Sequence, residues 1–185
     1  MAREAAAQDY RQPYTLDIRA TSKMALATVS GTLDLHMIDA ENVDEFPKCK
    51  LVLEDMLWDT GSDICIITAD ILPETFANRL SDSKNDSYRD LSSTTVQVQG
   101  YLALSNSEFY FETIVKVVLP SMAPNGRSGV ILGQRCFMDR LDVRQVPRHV
   151  LEARGQELKE DEWGDIKIIG YVDPVTRELT EFPDC

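Results

Sequence analysis

Residues 57–63 read "LWDTGSD". An apolar pair runs into Asp59, Thr60 and Gly61, then Ser62 and a second carboxylate, Asp63. The stretch after it, "ICIITADIL" (64–72), is rich in β-branched residues and predicts a strand. Alone, an acid, a hydroxyl and a glycine after a strand make a tight turn, in which glycine supplies the backbone freedom. Context gives the triplet more weight. About seventy residues downstream comes "VILGQRCF" (130–137), an apolar pair and a glycine leading into a predicted helix, and D-T-G occurs only once in the 185 residues.

Working outward, most of the chain alternates with the period of strands. "LDLHMI" (33–38) alternates as a half-buried strand does. "CKLVLEDMLW" (49–58) is a strand pair or one long bent strand leading to Asp59. "TTVQVQGYLALS" (94–105) predicts a solvent-facing strand, with "EFYFETIVKVVLP" (108–120) as its hairpin partner. Pro73 opens a short helix in "PETFANRL" (73–80). In "QRCFMDRL" (134–141), Cys136, Phe137 and Leu141 share a helical face. "IKIIGYVDPVTRELTEF" (166–182) reads as a hairpin turning at Asp173–Pro174. "DAENVDEFPK" (39–48) and "SDSKNDSYRDLSS" (81–93) are polar loops, and residues 1–14 form a flexible arm. The expected fold is mostly β with one or two short helices.

Charge narrows the function. Nineteen basic against 31 acidic side chains give a net charge of −12, which repels nucleic acid. Arg135, Arg140, Arg144 and Arg148 therefore read as a solvated face. The four cysteines (49, 65, 136 and 185) show no C-x-x-C spacing, and His36 and His149 lie far apart, so neither a metal site nor a cofactor is expected. Buried, reduced thiols are the simplest reading. No apolar run approaches the ~20 residues that cross a bilayer, and the start is too polar for a signal peptide. The expected address is cytoplasmic, with no membrane partner.

Asp59-Thr60-Gly61-Ser62 followed by Ile131-Leu132-Gly133 resembles the retroviral-type (retropepsin-like) aspartic proteases, closest in style to members derived from retrotransposons. The resemblance covers roughly 33–143. It implies a protease domain at 15–145 with a C-terminal extension at 146–185. It also implies a closed β-barrel of the acid-protease half type. Asp59, Thr60 and Gly61 would form the catalytic loop. Leu132 and Gly133 would lie beneath it.

Peptide hydrolysis by carboxylates needs two acids in opposite protonation states, close enough to share one proton. One D-T-G supplies one acid, so the implied catalyst is a homodimer with one Asp59 from each chain. Thr60 would bond across the two-fold axis. An extended peptide or polyprotein would pair like an added strand, against Ser62, Asp63, Ile66, Tyr88, Val130 and Ile131. For Ile66, Val130 and Ile131 ordinary core packing is an equal alternative. Asp63 reads equally as a surface carboxylate or as a substrate contact held by Arg135. Two departures stand out. The expected flap, Ser83–Ser93, has no glycine, and Gln134 stands where retroviral enzymes carry arginine. Two other readings remain open: a catalytically silent retropepsin-fold module for binding or dimerisation, and an unrelated β-rich domain whose D-T-G is only a turn.

Overall fold

The structure, a computed structural model, describes residues 15–23, 26–36, 49–82, 96–105, 107, 109–123, 128–135 and 137–183. The arm at 1–14, the loop at 39–48 and the flap segment with Tyr88 and Leu91 lie outside the described residues.

Among the described residues, ten strands and two short helices follow in the order β1 (Leu16–Lys23), β2 (Leu26–His36), β3 (Cys49–Trp58), β4 (Cys65–Thr68), α1 (Glu74–Asp82), β5 (Val96–Leu104), β6 (Phe111–Val118), β7 (Val130–Leu132), β8 (Leu141–Pro147), α2 (Arg148–Ala153), β9 (Glu162–Val172) and β10 (Leu179–Glu181). Six of them close a barrel: β2 pairs with β3, β3 with β7, β7 with β4, β4 with β6, β6 with β5, and β5 again with β2. Closure removes the sheet edges that would otherwise invite aggregation. Among the described residues no helix is long and apolar enough to cross a membrane.

Period-two alternation puts the core inside this barrel. On β6, Phe111, Val115 and Val117 point inward with Thr113, while Ile114 and Lys116 point out. On β2, Leu33 and Leu35 point inward while Asp34 and His36 do not. Each fully buried large apolar side chain contributes about 1.5–3 kcal/mol. α1 closes one side by burying Phe76 to 1% exposure. Pro73 stands just before that helix, and its carbonyl accepts the N–H groups of Phe76 and Ala77 at 2.9 and 3.0 Å.

Two sequence expectations are corrected here, for β5 and for residues 134–141, and the two alternatives for 49–58 are decided. β5 is not solvent-facing: it runs between β2 and β6, and Leu102 and Leu104 are fully buried. Its polar glutamines occupy only the outward positions. Residues 49–58 form one strand, with a register irregularity opposite Val29–Gly31. Residues 134–141 are not a helix; a 3-10 turn at Met138–Arg140 leads straight into β8. The physical reason is Phe137, whose non-helical backbone (φ −141°, ψ −82°) goes with a ring fully buried in the core. There it meets Trp58 edge-on at 6.0 Å and Phe111 at 5.9 Å.

The C-terminal hairpin joins the same core. β9 runs between β1 and β8, with β10 continuing on β1's side. Ile166 and Ile168 are fully buried in the hydrophobic cluster that also holds Leu33 and Val115. Tyr171 meets Phe111 at 5.4 Å, and Phe109 meets Phe182 at 5.5 Å. The domain boundary expected at 145 thus falls inside β8.

Arg148 is more than a solvated cation. It is half-buried, and its guanidinium donates to the carbonyls of Leu158, Lys159, Glu160 and Glu162 and to the Glu152 carboxylate at 2.7 Å. It folds the α2–β9 connection around one side chain. Arg148→Met is expected to cost about 1–3 kcal/mol, because those carbonyls lose a charged donor. A denaturant midpoint equal to the parent's would refute that role. Glu162 is held below the usual carboxylate range, first by the Lys159 N–H and then by Arg19 at 3.1 Å. Its contribution is present above the ordinary carboxylate range and is lost as pH falls through its lowered value.

Candidate functional site

β3 delivers the D-T-G loop and β7 delivers what lies beneath it. The two strands run parallel, with Leu57 opposite Ile131 and Trp58 opposite Leu132. The Asp59 N–H continues this pairing onto the Leu132 carbonyl at 3.1 Å. The chain then turns, and the Ser62 N–H returns to the Asp59 carbonyl at 3.1 Å. Inside that turn the Gly61 N–H donates to Asp59 Oδ1 at 2.9 Å. A Cβ on Gly61 would stand 3.2 Å from the same oxygen. Glycine therefore lets a backbone donor reach the carboxylate.

The 132–135 segment threads under the loop and is bonded to it at successive residues. The Gln134 N–H donates to the Ser62 carbonyl at 2.9 Å, and the Arg135 N–H donates to the Asp63 carbonyl at 2.7 Å. Ile64 and Arg135 form a parallel bridge. Gly133 passes so close to Ile64 that a Cβ there would lie 2.3 Å from its carbonyl oxygen. Only glycine fits at such a crossing.

Two further groups hold the loop, and the sequence reading gave neither this role. Gln134 Nε2 donates to the Thr60 carbonyl at 3.1 Å. Beneath, the fully buried Cys65 Sγ accepts the Gly133 N–H at 3.4 Å and the Thr113 hydroxyl at 3.5 Å. A thiol among apolar strands looks like filler, and only the fold shows that it receives a backbone donor. Cys49 and Cys65 are both buried, and neither is part of a disulfide.

The other expected residues fall as follows. Thr60 and Gly61 are exposed, and Ser62 is half-buried with its hydroxyl on the Ile64 carbonyl at 2.9 Å. Asp63 and Arg135 meet at 3.0 Å, with side chains 67% and 70% exposed. Such a pair is screened by water and contributes at most about 1 kcal/mol, so it orients more than it stabilises. Val130 and Leu132 point into the barrel core. Ile131 faces the other way, opposite Leu57 on one side and Ile66 on the other. Asp59 lies two residues beyond Leu57 along the chain, and strand alternation places it on that same outward side. On that side the half-buried Leu57 and Ile66 stand to either side of Ile131, which is itself buried.

The segment leading into β7 is pinned as well. The Thr68 N–H donates to the Gly129 carbonyl at 3.1 Å, and the Gly129 N–H donates to the Thr68 hydroxyl at 2.9 Å. Ser128 donates to Asp70 and is the main reason that its carboxyl sits below the usual range. Among the described residues no group of three or more His, Cys, Asp or Glu side chains could hold a metal ion. No family model matches the chain, and neither a curated protein nor a solved structure matches it.

Proposed function

We propose that this chain is one half of a homodimeric aspartic endopeptidase of retropepsin type. One observation carries the proposal: residues 132–135 pass beneath 59–64 in backbone contact, fixing a single outward carboxylate with the Gly61 N–H on its Oδ1. A turn needs no such underpinning. A carboxylate that must meet its copy within about 3 Å does.

In the assembled pair, two Asp59 carboxylates share one proton and hold a water between them. The ionised member takes a proton from that water as its oxygen attacks the peptide carbonyl carbon. The protonated member gives its proton to the carbonyl oxygen. As the tetrahedral intermediate collapses, the C–N bond breaks, the amine nitrogen takes a proton from the protonated member and a diol hydroxyl gives its proton to the ionised member. The new carboxyl group leaves and the pair returns to one shared proton. The half-buried Leu57 and Ile66 favour apolar side chains next to the bond that is cut.

The test is digestion of an extended-peptide library across pH, with and without a statine-type mimic of the intermediate. Cleavage is expected to be strongest on the acid side, near pH ~5, and to be blocked by the mimic, because the pair works only with one proton between its members. Lower pH also relieves repulsion between two chains that each carry −12. A rate that climbs steadily from pH 5 to 8 sinks the shared-proton pair. A dimer with no cleavage at any pH favours a silent binding module.

A further inference from the structure

We propose that the open edge of β8 is the seam along which two copies of this chain associate, as antiparallel strands with Val143 on the two-fold axis. The inference rests on the proposal that the site is completed by a second copy.

β8 pairs with β9 along one edge only, and among the described residues no strand pairs with its other edge. Such an edge presents unpaired N–H and C=O groups and readily accepts another strand. The side chains say which strand. Across the outward face of this sheet run Asp17, Lys167 and Arg144, in cross-strand register. Lys167 is already paired with Asp17 at 2.7 Å. Arg144 therefore sits beside a like charge whose carboxylate is taken, and among the described residues it has no acid of its own. Two residues earlier on the same strand, Asp142 is also exposed, opposite Gly170.

β8 is thus self-complementary. With Val143 on the axis, Asp142 faces the partner's Arg144, and Arg144 faces the partner's Asp142. Moving the axis by one residue sets Asp142 or Arg144 against its own copy, a destabilising arrangement. The net charge of −12 opposes association in general, so a seam that places opposite charges together selects both partner and register. The sheet then runs β9, β8, β8 and β9 without interruption through the dimer.

The experiment measures self-association of the full chain by sedimentation, for the parent and two single variants. Asp142→Arg and Arg144→Asp each turn two attractive contacts into two repulsive ones, and each is expected to weaken association about tenfold or more. Mixed in equal amounts, the two variants are expected to associate as tightly as the parent, because a strand with two cations now meets a strand with two anions. Both residues are exposed, and an unchanged circular dichroism melt confirms folding. Single variants that associate as tightly as the parent overturn the seam and leave the two-chain catalyst standing, as does a mixture no tighter than either variant alone. A parent that stays monomeric at every concentration overturns both.

Discussion

Asp59→Asn is expected to abolish peptide cleavage, lowering kcat by about 10⁴-fold, while the thermal midpoint and the dimer stay as in the parent. The size follows from symmetry. General acid–base catalysis contributes about 10²–10⁴-fold for a positioned group. One substitution here removes both members of the pair, since each chain supplies one. Neither role survives, because an amide cannot take a proton from water at these pH values and cannot pass one on.

The fold should not notice the change. Asparagine keeps an oxygen at the Oδ1 position for the Gly61 N–H, now 2.9 Å away, and the main-chain bond from Asp59 to Leu132 does not involve the side chain. Cleavage rates and sedimentation of the same preparation decide the matter. If the variant cleaves as the parent does, Asp59 is not the acid and the D-T-G is only a turn. If the parent is inactive too, while both proteins dimerise, the barrel is a binding module.

The local pattern of the chain foretold much of this architecture. Alternation located β2 and β5, with β6 as the hairpin partner of β5, because inward and outward residues differ in polarity there, and the turn at Asp173–Pro174 marked the β9–β10 hairpin. The D-T-G loop and Gly133 were legible for a similar reason: glycine where backbones nearly touch leaves a mark in the sequence. What stayed hidden depends on contacts distant in sequence. The polar glutamines of β5 masked a strand flanked on both sides. Phe137 reads as one face of a helix, yet its place between Trp58 and Phe111 unwinds that helix into a 3-10 turn. α2 went unread although Pro147 precedes it and Gly155, at φ +79°, follows it, which are ordinary start and stop signals. The Asp63–Arg135 pair, one of two equal readings of Asp63, is present on an exposed surface, whereas Cys65 as an acceptor for Gly133 had no signal at all.

Gly133→Ala is expected to be the most damaging single methyl group in the barrel, costing about 3–5 kcal/mol. The added Cβ would lie 2.3 Å from the Ile64 carbonyl oxygen, 2.4 Å from its carbon and 2.9 Å from its nitrogen. All three are main-chain atoms, so no rotamer change relieves the clash, and the cost exceeds the ~1–3 kcal/mol usual for overpacking. Nor can Ile64 retreat. Its carbonyl accepts the Ser62 hydroxyl at 2.9 Å, and its backbone bridges to Arg135. Separating the two segments would break the bonds from Gln134 to Ser62 and from Arg135 to Asp63, which hold the catalytic turn.

Against a total stability of about 5–15 kcal/mol the loss is large, and for a chain of this size it lowers Tm by roughly 10 °C. Gly155→Ala provides the control. Nothing lies within 4 Å of a Cβ at that position, so only its positive φ is strained, at a cost of about 1 kcal/mol. Thermal melts of the two variants side by side separate a crossing of main chains from a strained turn. If the two midpoints fall by the same small amount, β7 does not press against the 59–64 loop, and the carboxylate loses the support that sets it apart from an ordinary turn residue.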